Sequence, residues 1–154
     1  MTRKSTPNLN TQFLLMALAI GLLLTNGCSS FNREWKAAAA VPPVPGTIEG
    51  AWDGTWLSDH NGHNGRLRAI VTKLNDDEFH ARFHATYLKT LTFGQAVNLS
   101  VKQNGTNFTF SGSADLGKLY GGIYTYEGNS SPKQFFSTYN CSIDHGTFRM
   151  TRPR

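Results

Sequence analysis

A chain of 154 residues has room for one domain once any targeting segment is set aside. Its 15 Lys/Arg and 10 Asp/Glu give a formal net charge of +5, and no run of five like charges occurs, which argues against nucleic acid as a partner. Ten phenylalanines and three tryptophans supply most of the apolar area from which so small a domain can build a core.

Residues 1–27 have the layout of an export signal. Arg3 and Lys4 form a positive start, Phe13 to Leu24 (FLLMALAIGLLL) an unbroken apolar run, and Thr25-Asn26-Gly27 a small or polar stretch before Cys28. A helix needs about 20 apolar residues to cross a bilayer, more than this run supplies, so it reads as a signal peptide rather than a permanent anchor. Setting Arg3 and Lys4 aside with the leader leaves 13 basic against 10 acidic side chains, an ordinary balance.

The phrase LLTNGCSS resembles a bacterial lipoprotein signal. Gly27 matches the residue before the lipidated cysteine, whereas Thr25 and Asn26 stand where Leu and Ala or Ser are usual. The resemblance implies acylation of Cys28, cleavage just before it and a membrane partnership through the lipid; several acyl chains would anchor the domain stably. Ser29, in place of Asp, implies the outer membrane of a two-membrane bacterium. An ordinary signal peptide cut after Gly27, which would free the protein, stays open. With Cys28 consumed by lipid, Cys141 has no disulfide partner and reads as a buried strand residue.

Residues 28–46 are expected to form a tether. Four alanines followed by Pro42, Pro43 and Pro45 predict an extended spacer rather than a helix. Phe31 and Trp35 either dip into the lipid interface or dock on the domain, and the pattern does not choose.

From residue 47 to 154 the pattern changes to period two. In EFHARFHATY, Phe79, Ala81, Phe83, Ala85 and Tyr87 fall on one face and His80, Arg82, His84 and Thr86 on the other, so one face is buried and one is wet. Strands are predicted near 48–57, 66–74, 78–89, 93–102, 106–114, 120–127, 134–140 and 146–152. Turns are predicted at HNGHNG, NDD, Thr92-Phe93-Gly94, QNGTN, DLG, GNSSP and SIDH. The fold class is therefore all-β: a single antiparallel meander of about eight strands, closed into a small barrel to remove its edges, with a β-sandwich as the alternative. Glycines at 50, 54, 112, 121, 122 and 146 fit the bends of a tightly curved sheet.

Gly50-Ala51-Trp52 and Gly54-Thr55-Trp56 each resemble the Gly-x-Trp that opens the first strand of calycin-type barrels, the class of lipocalins and avidins. That class often sets an arginine of the last strand across the tryptophan. In GTFRMTRP, alternation puts Gly146, Phe148, Met150 and Arg152 on one face, so the resemblance assigns that structural role to Arg152, stacked on Trp52 or Trp56. The absence of a helix pattern after the last strand departs from the lipocalins and favours an avidin-like outline. GTWLSDHNGHNGRLR, ARFHATYLK and DHGTFRMTRP also resemble a domain recurring in bacterial envelope lipoproteins, a likeness that brings no activity with it.

Three constellations offer chemistry. Asp59, His60, His63, His80, His84 and His145 are metal-ligand types, but His80 and His84 are about 13 Å apart along a strand and cannot share an ion, so no metal or other cofactor is expected. Asp144-His145 and Asp59-His60, with Ser58, Ser137 or Cys141, supply residue types for a hydrolase without an elbow motif, a remote alternative that leaves no catalytic residue assigned. The stripe Tyr120, Gly122, Tyr124, Tyr126 either fills the barrel or lines a ligand site, with His60 and His63 at its mouth. Filling is the expectation, because Phe79, Phe83, Tyr87, Phe108 and Phe110 also point inward; a ligand site requires a cavity of about 300 Å³ or more. The functional expectation is an exported, lipid-anchored, non-catalytic envelope module, structural or interacting with an envelope protein. Its alternative is a barrel that binds a small apolar ligand.

Overall fold

Alternation along the second half of the chain becomes eight strands: β1 (Gly50–Ser58), β2 (Asn64–Lys73), β3 (Glu78–Tyr87), β4 (Leu91–Asn104), β5 (Asn107–Asp115), β6 (Ile123–Ser130), β7 (Gln134–Asn140) and β8 (His145–Thr151). Each pairs antiparallel with the next, and β1 pairs with β8 from Asp53↔Thr151 to Ser58↔Gly146, so the meander closes into a barrel rather than a sandwich. The structure, a computed structural model, describes residues 30–88 and 91–154; the expected leader and Cys28 lie outside the described residues. The chain divides into two units, Met1–Glu34 and Trp35–Arg154, and the barrel belongs to the second. No helix among the described residues is long and apolar enough to cross a membrane.

Inward positions alternate as the period-two pattern requires. Trp52, Ala69, Phe83 and Gln95 follow one another across β1 to β4 in register. Trp52, Tyr126, Phe135, Leu67 and Leu99 are almost wholly buried. Aromatic rings bridge the barrel from wall to wall: Trp52 meets Phe135 at 5.5 Å, Phe83 meets Phe148 at 5.3 Å, and Phe110 stacks on Phe135 at 4.6 Å between ring centroids. Small residues face them, among them Ala69, Ala81, Ala85 and Gly128, whose missing side chain makes room for the Phe110 ring. Large against small across facing strands fills the middle of the barrel, as an eight-stranded interior permits.

Four local expectations are corrected. Residues 30–39 are helical, not extended. Alanine is the best helix former, and the helix-ending prolines begin only at Pro42, so the Ala37–Ala40 run propagates a helix before they stop it. Thr92, Phe93 and Gly94 lie inside β4, with Gly94 paired to His84. The reversal follows β3 instead at Leu88, whose φ of 50° is unusual for leucine and carries no turn signal in its residue type. Tyr120 belongs to a short 3-10 turn, Lys118–Tyr120, and Gly121 and Gly122 follow it with φ of 97° and 73° in the loop rather than within β6. Cys141 is half-buried in the β7–β8 connection rather than in a strand.

The outer wall is not uniformly wet. Ala51 and Ile70 point outward yet are buried, because residues 38–44 lie over them. Trp35 docks rather than meeting lipid: its indole N–H donates to the Trp52 carbonyl at 2.9 Å, and the Arg68 guanidinium stacks over its ring at 4.4 Å. His84, expected on the wet face, is also buried, and burial together with the nearby Arg68 charge lowers its pKa.

Candidate functional site

The alternation that fills the middle of the barrel leaves its two ends to be closed separately. At one end lie the β2–β3, β4–β5 and β6–β7 turns with the start of β1 and the end of β8. Here Arg152 stacks on Trp52 with its guanidinium carbon 3.8 Å from the ring centroid. It also donates to the carbonyls of Glu49 at 2.7 Å and Ala51 and Thr47 at 3.4 Å, and to that of Pro132 at 3.3 Å. Burial lowers its pKa to about 10, so it stays charged at neutral pH. The Trp52 indole N–H donates to Ile48, which is fully buried beneath the start of the strand. That end is shut.

The other end is a cup of about 730 Å³. Trp56 and Phe148, cross-strand partners on β1 and β8, form part of its floor with Tyr124 and Tyr139. Phe93, Leu116, Leu119, Tyr120 and Ile143 form the sides and rim. Leu119 is 91% exposed, Tyr120 70%, Ile143 58% and Phe93 49%, so the rim offers apolar surface directly to solvent.

Local sequence explains how Trp56 comes to stand there. Its indole N–H donates to the Thr86 carbonyl at 3.1 Å, across β2 from its own strand. Gly65 makes that reach possible: any side chain there would run into both the Thr86 carbonyl and the Trp56 ring. Gly62, at φ 75°, turns the preceding loop. The HNGHNG segment is thus the hinge that seats a tryptophan, and its histidines stand aside. His60 is exposed with its ring 6.2 Å from that of His145, and His63 is exposed with its ring 4.8 Å from that of Tyr87; neither lines the cup.

Of the expected tyrosines, Tyr124 lines the cup, Tyr120 reaches it from the 3-10 turn, and Tyr126 lies deeper, fully buried between Tyr124 and Phe83. Burial raises the pKa of Tyr124, Tyr126 and Tyr139, so all three are neutral hydroxyls across the physiological range. The neighbouring Cys141 side chain adds to the effect at Tyr124, and the Asp144 charge adds to it at Tyr139. Tyr126 lies beside Gln95, yet neither its hydroxyl nor the Gln95 carboxamide oxygen has a hydrogen-bond partner among the described residues.

The cup contains one charge, Asp144, which the sequence singled out only beside His145 as a hydrolase residue type. Asp144 accepts from the buried Ser58 hydroxyl at 2.6 Å and its neighbour's N–H at 2.8 Å through Oδ1, and from the Tyr139 hydroxyl at 3.0 Å through Oδ2. Ser58 and Asp144 are 86 positions apart, so only closure of β1 onto β8 brings them together. The sequence reading passed over Tyr139, although the alternation of Phe135, Ser137 and Tyr139 along β7 carries the signal for it. The Ser58 hydroxyl donates directly to the carboxylate with no imidazole between them, a geometry unlike a nucleophile, base and orienter in line. No group of three or more His, Cys, Asp or Glu among the described residues could hold a metal ion.

No family model, curated protein or solved structure matches the chain. The closed antiparallel barrel of eight strands is consistent with a calycin-like architecture.

Proposed function

We propose that this chain is an exported, lipid-anchored envelope protein of calycin type whose barrel binds a small apolar ligand at its open end. The observation that carries the reading is the cup: about 730 Å³ walled by Trp56, Phe93, Tyr124, Tyr139 and Phe148 above a core that is otherwise filled. That volume lies within the range of roughly 300–1,000 Å³ typical of small-molecule sites, which combine apolar walls with a few polar groups. The anchor reading is supported by the leader and Cys28, and Ser29 points it to the outer membrane.

Titrating a neutral solvatochromic dye into the full-length protein tests the cup. Saturable emission that an alkanol displaces is the expected result; unsaturable binding would overturn the reading. Replacing Cys28 with Ala tests the anchor: the variant is expected to leave the membrane fraction, and one still processed and membrane-bound would refute lipidation. A structural or interaction module is the second reading, favoured by the exposed rim of Leu119, Tyr120 and Ile143. A dye that fails to saturate, with a rim that a partner protein protects from solvent exchange, would favour it.

A further inference from the structure

The charge in the cup narrows what an occupant must be. Among the described residues the cup is lined by aromatic and aliphatic side chains with Thr92, Gly94 and Gln95, by one carboxylate, and by no Lys, Arg or His. That carboxylate, Asp144, is half-buried. Its Oδ1 is occupied by Ser58 and the His145 N–H, but Oδ2 accepts only from Tyr139 among the described residues, so one lone pair remains available. Tyr124 and Tyr139 stack on each other beside it with centroids 6.3 Å apart, and the Tyr139 hydroxyl donates to the carboxylate.

Occupancy changes the energetics of that carboxylate. A hydrocarbon ligand filling the cup would strip water from Asp144 and return nothing to it, and a neutral hydroxyl would return one hydrogen bond but no charge. An anion would add like-charge repulsion. A cation bearing an N–H offsets the lost hydration by its charge and donates to the remaining position on Oδ2 at the same time. Resting on the apolar-ligand reading above, we infer that the cup takes an amphiphilic cation, an alkyl- or arylammonium compound. Its head lies among Asp144, Tyr124 and Tyr139, and its apolar body lies against Trp56, Phe93 and Phe148.

Isothermal titration of the full-length protein as purified from cells, with octylammonium, octan-1-ol and octanoate, separates the possibilities because the three share a chain and differ in the head. The ammonium is expected to bind at least about tenfold tighter than the alcohol, with octanoate weakest. Asp144→Asn is expected to close the gap between ammonium and alcohol to about parity. Equal affinity for ammonium and alcohol in the wild type, or a preference for octanoate, overturns the cation inference and leaves the apolar-ligand reading in place. Binding of none of the three overturns both. Should Asp144→Asn fail to fold, the wild-type ranking alone decides.

Discussion

Trp52 and Trp56 leave the same strand on the same face, four residues apart, and the barrel treats them in opposite ways. Trp52 is wholly buried under Arg152, with its carbonyl and its indole N–H both bonded. Trp56 is also nearly buried, but its ring faces an open cup and its neighbours Phe93 and Tyr87 touch it only edgewise or at a tilt. One end of the barrel is thus closed over its tryptophan and the other left open. The difference arises from partners supplied by distant strands, since the two tryptophans sit in similar Gly-x-Trp surroundings.

The most severe way to break this contrast is truncation. Trp52→Ala is expected to cost about 4 kcal/mol, because a buried aromatic is lost and the cavity is enclosed on all sides. Trp56→Ala is expected to cost about half as much, since its space opens onto the existing cup. Urea unfolding followed by circular dichroism measures both, and equal losses would erase the distinction. Next in size, Arg152→Ala is expected to cost about 2 kcal/mol by removing the stack on Trp52 and leaving the Glu49 carbonyl without its donor. Arg152→Lys should recover only part, because an ammonium cannot span the four carbonyls as the planar guanidinium does.

Alkaline pH probes the core just beneath the cup. The folded state raises the Tyr126 pKa, chiefly by burial, while the unfolded chain loses that proton near the usual value of about 10. Its contribution to stability is complete below pH 10 and is lost as pH climbs toward the raised folded value. The slope is at most about 1.4 kcal/mol per pH unit for this one group. Urea midpoints at pH 8, 10 and 11 should therefore fall, and Tyr126→Phe should fall less steeply; parallel curves would count against the assignment. Smallest of all is the same variant at pH 7. The Tyr126 hydroxyl is buried without a hydrogen-bond partner among the described residues, so Tyr126→Phe is expected to change stability by under about 0.5 kcal/mol, or to raise it.

Much of the frame was legible. β3 begins at Glu78 as predicted but ends at Tyr87, short of the predicted 89, and β7 has the predicted bounds of 134–140. The HNGHNG turn falls where its Gly and Asn residues put it. The failures cluster where a residue type has two readings. Gly94 read as a turn residue and serves as a strand residue, while Leu88 turns the chain with no breaker to announce it. The alanines before Pro42 read as a tether because the prolines were weighted over the helix propensity in front of them. Alternation assigned Tyr120 to the tyrosine stripe, yet two positive-φ glycines begin the strand only at Ile123.

By itself the sequence determined an all-β meander, the inward set of large aromatics and the punctuation between strands, because these depend on period two and local backbone preference. Alternation also put Arg152 on the same face as Phe148 and Met150, and in the structure it follows directly on the end of β8. Only the tertiary structure decided which tryptophan Arg152 would cover, that Ser58 and Tyr139 would hold Asp144, and that Trp35 would lock onto the outer wall. These pairings are set by the stagger with which eight strands close. That stagger is a collective property of the barrel, which no single stretch of chain encodes.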